Sequence, residues 1–138
     1  MHHLKAMVID DDPSVLFCFR RILQYRGYEV ETYENPTHTP MYLCTACPCS
    51  LGGMCPDLII SDFTMPVVNG IELLESAIRK GCRCLHLAVI SATPLKDEDL
   101  AWLAHHGGRH FRKPVGLDVL NEWLDCIERE VAAGHHAA

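Results

Sequence analysis

Residues 56–70, with the sequence PDLIISDFTMPVVNG, decide the fold of this chain. The short apolar run LII is followed by Asp62, and the dipeptides MP and NG then interrupt the chain before a helical pattern begins at Ile71. A continuous apolar run of this length is typical of a strand buried on both faces of a parallel sheet. Ligands of such sheets bind beyond the carboxyl ends of the strands, so Asp62 is the first candidate for chemistry.

On both sides of this stretch, apolar strand patterns alternate with helical patterns, and the alternation predicts an α/β fold with a doubly wound five-stranded parallel sheet. The whole chain, residues 1–138, is predicted to form a single domain. The second helix is the exception, because prolines and a Gly-Gly pair leave room only for a short helix at about residues 39–44. The predicted strands cover residues 4–9, 28–33, 57–61, 84–90 and 109–112, and the other helices lie at about 13–26, 71–80, 95–106 and 116–132.

The charge and hydropathy of the chain restrict its function. A net charge of −6 argues against a nucleic-acid or membrane surface as the main partner, since both favour a basic face. No apolar run is long enough to span a bilayer. The first residues, MHHLKAMVIDDD, lack the apolar core of a signal peptide, so a cytoplasmic location is expected.

Polar side chains follow four of the predicted strands, at the edge where parallel strands end together. They are Asp10 and Asp11, Asp62, Ser91 and Lys113. Three crowded carboxylates repel one another, and Mg2+ is the cation that suits such oxygen ligands best. An ammonium group can hold a phosphoryl oxygen, and a hydroxyl can hydrogen-bond another. The set therefore favours Asp62 as a nucleophile that attacks phosphorus and forms an acyl phosphate.

Four motifs in this order resemble the receiver domain of two-component response regulators: IDDDP at residues 9–13, DLIISDFTMP at 57–66, VISA at 89–92 and KP at 113–114. The resemblance covers about residues 4–130. It implies the flavodoxin-like, CheY-like fold with strand order 2-1-3-4-5. The combination of the acidic pair, the D-x-x-M-P turn and the K-P dipeptide is specific, although each motif alone is weak.

The same resemblance assigns roles to individual residues. Asp62 would accept a phosphoryl group from a histidine kinase. Asp10, Asp11, Asp62 and the backbone carbonyl of Thr64 would hold Mg2+, with Asp11 a direct ligand. Ser91 takes the position of the switch hydroxyl and Lys113 that of the family's lysine. The family usually has Tyr or Phe three residues before this lysine, whereas this chain has His110, so the coupling of Ser91 to a rotating aromatic ring is an open question.

The sequence is thus predicted to be a phosphoacceptor signalling domain that assists its own phosphorylation and is not an enzyme. Signalling is expected through protein contact, on the last two helices and the fifth strand, by a domain that stands alone or belongs to a longer regulator. A phosphatase-like hydrolase using Asp62 is a rival interpretation. Such enzymes typically place a second acid two residues after the nucleophile, where this chain has Thr64.

The chain has eight cysteines, and four of them lie within residues 44–55, a Cys-rich insertion where the second helix would be. Cys44, Cys47, Cys49 and Cys55 could close tetrahedrally around Zn2+ and order this loop. Their spacing is not that of a zinc finger, and an iron–sulfur cluster or a loop of reduced thiols are alternatives. A metal- or redox-sensing module is accordingly a second rival function. The remaining cysteines, at positions 18, 82, 84 and 126, are predicted to be core fillers.

Overall fold

The computed structural model describes residues 4–47, 55–84 and 86–134, in which strands and helices alternate along the chain. A short 3-10 helix, Pro36–His38, precedes the second helix. The strands are β1 (Lys5–Ile9), β2 (Glu29–Tyr33), β3 (Leu58–Asp62), β4 (His86–Ser91) and β5 (Arg109–Arg112), and the helices are α1 (Pro13–Tyr25), α2 (Pro40–Leu43), α3 (Gly70–Arg79), α4 (Asp97–His105) and α5 (Leu117–Ala132).

The five strands form one parallel sheet in the order β2-β1-β3-β4-β5. This confirms the predicted fold class and strand order. The prediction of a short second helix is also correct, because α2 has only four residues. The sheet is central, and β3 is buried along its whole length.

Two apolar cores cover the two faces of the sheet. On one face α1 and α5 pack against alternate residues of the central strands, with Phe19, Leu23, Leu124 and Ile127 buried. On the other face, residues from α2, α3 and α4 form the second core, in which Leu74 is completely buried. Because side chains alternate along a strand, neighbouring strand residues enter opposite cores. The polar residues Asp62 and Ser91 are the last residues of their strands, beyond the apolar part of the sheet.

Local sequence signals fix how the helices begin. Asp12 is the N-cap of α1, and its carboxylate accepts a hydrogen bond of 2.9 Å from the backbone of Ser14. Asn69 caps α3 in a reciprocal pair with Glu72, in which each side chain accepts from the other residue's backbone at 2.8 Å. Both helices therefore begin just after a carboxyl end of the sheet, beside the residues predicted to do chemistry. Within the described residues, no helix is long and apolar enough to cross a membrane.

Candidate functional site

Three carboxylates meet at the carboxyl edge of the sheet. β1 and β3 are neighbours with Ile9 opposite Ser61, so the residues that follow, Asp10 and Asp62, lie side by side. One oxygen from each of Asp10, Asp11 and Asp62 lies within 4.8 Å of the others. Asp10 and Asp62 are buried, whereas Asp11 is exposed. The grouping predicted from separate parts of the sequence is therefore present.

The two carboxylate oxygens of Asp10 have different surroundings. Its Oδ1 accepts a hydrogen bond of 2.9 Å from the backbone of Asp12. Its Oδ2 is buried and lies 2.9 Å from Lys113 Nζ as an ion pair, but without hydrogen-bond geometry, and it has no hydrogen-bond partner within the described part of the chain. A buried carboxylate oxygen with an unfilled lone pair, beside two more carboxylates, fits a hard divalent cation such as Mg2+.

Lys113 supplies the positive charge of the site. It follows β5, and its backbone N–H donates to Ser91 O at 2.8 Å, which fixes it beside the end of β4. Its Nζ lies 2.9 Å from Asp10 Oδ2 and 3.4 Å from Asp62 Oδ1, and the peptide bond to Pro114 is cis. Burial lowers the pKa of Lys113, but pairing with Asp10 and Asp62 outweighs burial and raises it. The ammonium group is therefore fixed and charged.

The carboxyl of Asp62 is held in an environment that disfavours its charge. Burial is the main cause, and the negative charge of Asp10 adds to it, so the pKa of Asp62 rises to about 6 despite the opposing effect of Lys113. One nearby ammonium does not balance three carboxylates. A bound cation would supply the missing positive charge, which agrees with the fit of Asp10 Oδ2.

The loop after Asp62 is fitted closely to the phosphoacceptor candidate. A Cβ added at Gly70 would lie 2.5 Å from the backbone oxygen of Asp62, so only glycine fits without a backbone shift. Val67 has a φ of +74°, and the N–H of Val68 donates to Pro66 O at 2.9 Å around it, as in a γ-turn. Thr64 lies in this loop, two residues after Asp62, and its side chain is exposed.

Ser91 is hydrogen-bonded away from the carboxylates. Its Oγ lies 2.6 Å from Thr93 O and 2.7 Å from His110 Nε2. A hydroxyl has one hydrogen and a carbonyl can only accept, so Ser91 donates to Thr93 and His110 donates to Ser91 through Nε2–H. His110, which the sequence left as an open question, is thus the direct partner of the predicted switch hydroxyl. Phe111 instead packs edge-to-face against Trp123 in the core, with ring centroids 5.5 Å apart.

A model of the response regulator receiver domain family matches residues 6–125, which include every residue of this site. The chain belongs to this receiver family. Receiver domains are signalling domains, and the family typically holds Mg2+ at its aspartate site. The family recognised from the sequence motifs is therefore confirmed.

Curated relatives of this receiver are longer proteins. The chain is 29% identical over 125 residues to the DNA-binding transcriptional regulator NtrC of Salmonella typhimurium, covering 91% of this chain and 24% of that protein. It is also 29% identical over 130 residues to the two-component response regulator ARR2 of Arabidopsis thaliana, covering 93% and 18%. The chain thus spans about a quarter or less of their length. Because relatives are named as DNA-binding regulators, the expectation of no nucleic-acid partner gains no support.

Solved receivers share the fold. A CheY-like receiver domain protein from Methanospirillum hungatei matches with a TM-score of 0.68 and 23% identity, over 94% of this chain and 99% of that one. The chemotaxis response regulator CheY4 of Vibrio cholerae matches with a TM-score of 0.69 and 22% identity, over 91% and 99%. At these identities the likeness establishes the fold alone.

The cysteines of this receiver are grouped differently from the set predicted from the sequence. Sulfur atoms of Cys47, Cys55 and Cys82 lie within 4.8 Å of one another, and Cys44 is not in this group. Cys44 caps the end of α2, three residues before the chain reaches the cluster. Cys49 lies outside the described residues. Cys82 is partly buried and packs against the second core, as predicted, but its place in this sulfur group was not predicted from the sequence.

Two other cysteines also bear on that prediction. Cys18 is exposed on α1 and is therefore not a core residue. Cys84 is partly buried and packs against the second core, as predicted, and its Sγ lies 3.5 Å from His86 O. A signal for Cys82 was present in the sequence, because it follows the stop signal Gly81, where a turn can approach a neighbouring loop.

Proposed function

We propose that this chain is a phosphoacceptor receiver, in which Asp62 takes a phosphoryl group from a histidine kinase in a reaction that depends on Mg2+. The observation that carries the proposal is the grouping of Asp10, Asp11 and Asp62 around the ammonium of Lys113. This set has both charges that a phosphoryl transfer needs: carboxylates to attack and to hold a cation, and a fixed ammonium to meet phosphoryl oxygens.

In the proposed reaction an oxygen of Asp62 attacks the phosphorus of a phosphohistidine. The new O–P bond forms as the N–P bond breaks, and the imidazole nitrogen keeps the electron pair and takes up a proton. The product is an acyl phosphate on Asp62. Lys113 lies 3.4 Å from Asp62 Oδ1, close enough for its Nζ to pair with an oxygen of the transferred group.

Mg2+ would be held by Asp10, Asp11 and Asp62, and the family resemblance adds the backbone carbonyl of Thr64. When bound, the cation offsets carboxylate charge and polarises the phosphoryl oxygens. Asp10 would contribute its buried Oδ2, and it also orients Lys113 through their ion pair. Asp11, which is exposed, would add the third carboxylate to the set that holds the cation.

Ser91 is proposed to couple phosphorylation of Asp62 to a change at the partner surface. To donate to a phosphoryl oxygen, the Ser91 hydroxyl must give up the bond to Thr93 O and move against the restraint of His110, and this rearrangement would alter the end of β4 and the adjoining β5. The face formed by α4, β5 and α5 is therefore proposed as the partner surface. Partners in this proposal are the kinase and a downstream protein, and the proposed location is the cytoplasm.

The proposal is tested by incubating the protein with acetyl phosphate, a small phosphodonor, and measuring intact mass. The expected result is one phosphoryl adduct in wild type with Mg2+, and none with chelator or in Asp62→Ala. Asp97→Ala is the matched control, because Asp97 is an exposed carboxylate in the first turn of α4 and should leave the adduct unchanged. An adduct of equal yield in Asp62→Ala would overturn the proposal.

A further inference from the structure

Three cysteines from separate segments meet at the amino edge of the sheet, the edge opposite Asp62. Cys47 follows α2, Cys55 lies three residues before β3, and Cys82 follows α3. Their sulfur atoms lie within 4.8 Å of one another, and Cys47 Sγ lies 3.9 Å from Cys55 Sγ. In a tetrahedral zinc site with Zn–S bonds of about 2.3 Å, two sulfurs lie about 3.8 Å apart. The spacing therefore already suits a shared Zn2+ ion.

Backbone hydrogen bonds fix all three residues around this point. Cys47 N–H donates to Lys80 O at 2.7 Å, and Cys82 N–H donates to Ala77 O at 3.0 Å, so the backbones of both residues are anchored to the end of α3. The backbone N–H of Arg83 donates to Cys55 Sγ at 3.1 Å. Hydrogen bonds to sulfur stabilise the thiolate form that binds metal. The cluster is thus oriented by the fold before any ion binds.

The local charge suits a metal thiolate. Three thiolates and one Zn2+ carry a net charge of −1. Lys5 and Lys80 line a cavity of about 100 Å³ that Cys47 and Cys82 also line. Lys80 is held in place, since its Nζ donates to Met41 O at 2.7 Å. Two ammonium groups therefore line the cavity that Cys47 and Cys82 share, and the described residues of its wall include no carboxylate other than Glu31, which pairs with Lys5 at 2.9 Å.

Metal binding requires the reduced protein. Cys55 is disulfide-bonded in this structure, whereas Cys47 and Cys82 are not. A disulfide sulfur carries no thiolate charge and cannot serve as a zinc ligand of this kind. Every measurement of the metal must therefore be made on protein kept in reductant.

We propose that Cys47, Cys55 and Cys82 bind Zn2+ in the reduced protein and join the connection between β2 and β3 to the end of α3. The ion adds stability to a connection that is rich in Pro and Gly and whose described residues form a 3-10 helix of three residues and an α-helix of four. Cys49 was predicted as a ligand from the sequence, and the proposal does not depend on it. Cys44 is excluded from the set.

The proposed site is separate from the chemistry at Asp62. Seven residues of extended chain separate Cys55 from Asp62, about 23 Å at the rise of a strand. The ion is therefore expected to stabilise the fold and to leave phosphorylation unchanged. Failure of the zinc proposal would leave the phosphoacceptor proposal intact, because the two are measured independently.

The test is the zinc content of protein prepared in reductant without chelator, measured by plasma mass spectrometry. About one equivalent is expected in wild type, and Cys82→Ser is expected to lose most of it. Cys44→Ser and Cys84→Ser are matched controls, as neighbouring cysteines outside the cluster, and should retain the metal. Replacement by Co2+ gives a second readout, a sulfur-to-metal absorption band that weakens in Cys82→Ser.

Two results would overturn the proposal. One is less than about a tenth of an equivalent of zinc in reduced wild type even after incubation with zinc salt and removal of unbound metal. The other is full zinc content in Cys82→Ser together with loss in Cys44→Ser. Acetyl phosphate labelling of the same samples shows whether each variant is folded, so that loss of metal is not confused with loss of structure.

Discussion

The hydroxyl of Ser91 lies 2.7 Å from Nε2 of His110 on the neighbouring strand, and this bond holds the predicted switch residue away from the carboxylates. The second bond of Ser91, to Thr93 O at 2.6 Å, uses its only hydrogen. His110 lies at the position where the family usually has Tyr or Phe, and its ring nitrogen donates this hydrogen bond to Ser91. A phosphoryl oxygen can only accept, so it competes with Thr93 O for the Ser91 hydrogen, while the bond from His110 restrains the oxygen of the same hydroxyl.

Replacing His110 by Phe should release Ser91 and speed phosphorylation. A hydrogen bond of this kind is worth about 1 kcal/mol net, which corresponds to a rate increase of up to about fivefold with acetyl phosphate. The rate is measured by intact mass against time. His105→Phe is the control, because His105 is exposed on α4. The idea fails if His110→Phe has the wild-type rate, or if the increase persists in a Ser91→Ala background, where the hydroxyl is missing.

The His110 imidazole should titrate below its ordinary pKa of 6.5. Burial lowers the pKa, and the positive charge of Arg112 lowers it further. The folded state then binds fewer protons than the unfolded state, so the contribution of His110 to stability falls as the pH drops below 6.5. Nitrogen-15 NMR should show a neutral ring protonated at Nε2 above this range. A pKa above 6.5, or protonation at Nδ1 alone, would contradict the assigned geometry.

Replacing Gly70 by Ala should disturb the phosphoacceptor directly. The added Cβ would lie 2.5 Å from Asp62 O, so the backbone of one of the two residues must move. We expect a loss of about 1–3 kcal/mol in the free energy of unfolding, as for overpacking elsewhere, and slower phosphorylation. Urea denaturation measures the first effect. Gly116→Ala is the control, since its Cβ would lie 3.7 Å from the nearest atom. Equal stability of the two variants would refute the close approach.

Replacing Val67 by Gly should stabilise the protein. Val67 is exposed and has a φ of +74°, a conformation that costs a β-branched residue about 1–2 kcal/mol. Glycine removes this strain but loses about 0.5–1 kcal/mol of backbone entropy, so a net gain of about 0.5–1 kcal/mol is expected. Val68→Gly is the control and should destabilise, because Val68 packs against the second core. A lower midpoint for Val67→Gly in urea would show that the turn is not strained.

Much of the fold was predictable because its signals are local. Apolar runs ending in Asp62 or Ser91 indicate buried parallel strands, and glycines 27 and 81 mark helix ends with positive φ. The end residues of helices and strands differ from prediction by one or two positions, as at β3, which begins at Leu58 and includes Asp62. The carboxylate and lysine set was predictable because parallel topology places strand ends together.

The remaining features depend on tertiary contacts that periodicity does not encode. Cys82 is distant in sequence from Cys47, and only the packing of α3 against α2 brings their loops together. The bond between Ser91 and His110 needs the register of β4 and β5, in which Val89 lies opposite His110. The positive φ of Val67 could not be predicted from the sequence, because β-branched residues rarely adopt this conformation.

The central claim, that Asp62 is the phosphoacceptor, is tested most directly by locating the phosphoryl group. The protein is labelled with acetyl phosphate and Mg2+, treated with borohydride, which reduces an acyl phosphate to an alcohol, and mapped by peptide mass spectrometry. The account predicts that the aspartate at position 62 alone is converted to homoserine, and only in samples given phosphodonor. Conversion at another carboxylate such as Asp57, with position 62 unmodified, would contradict it.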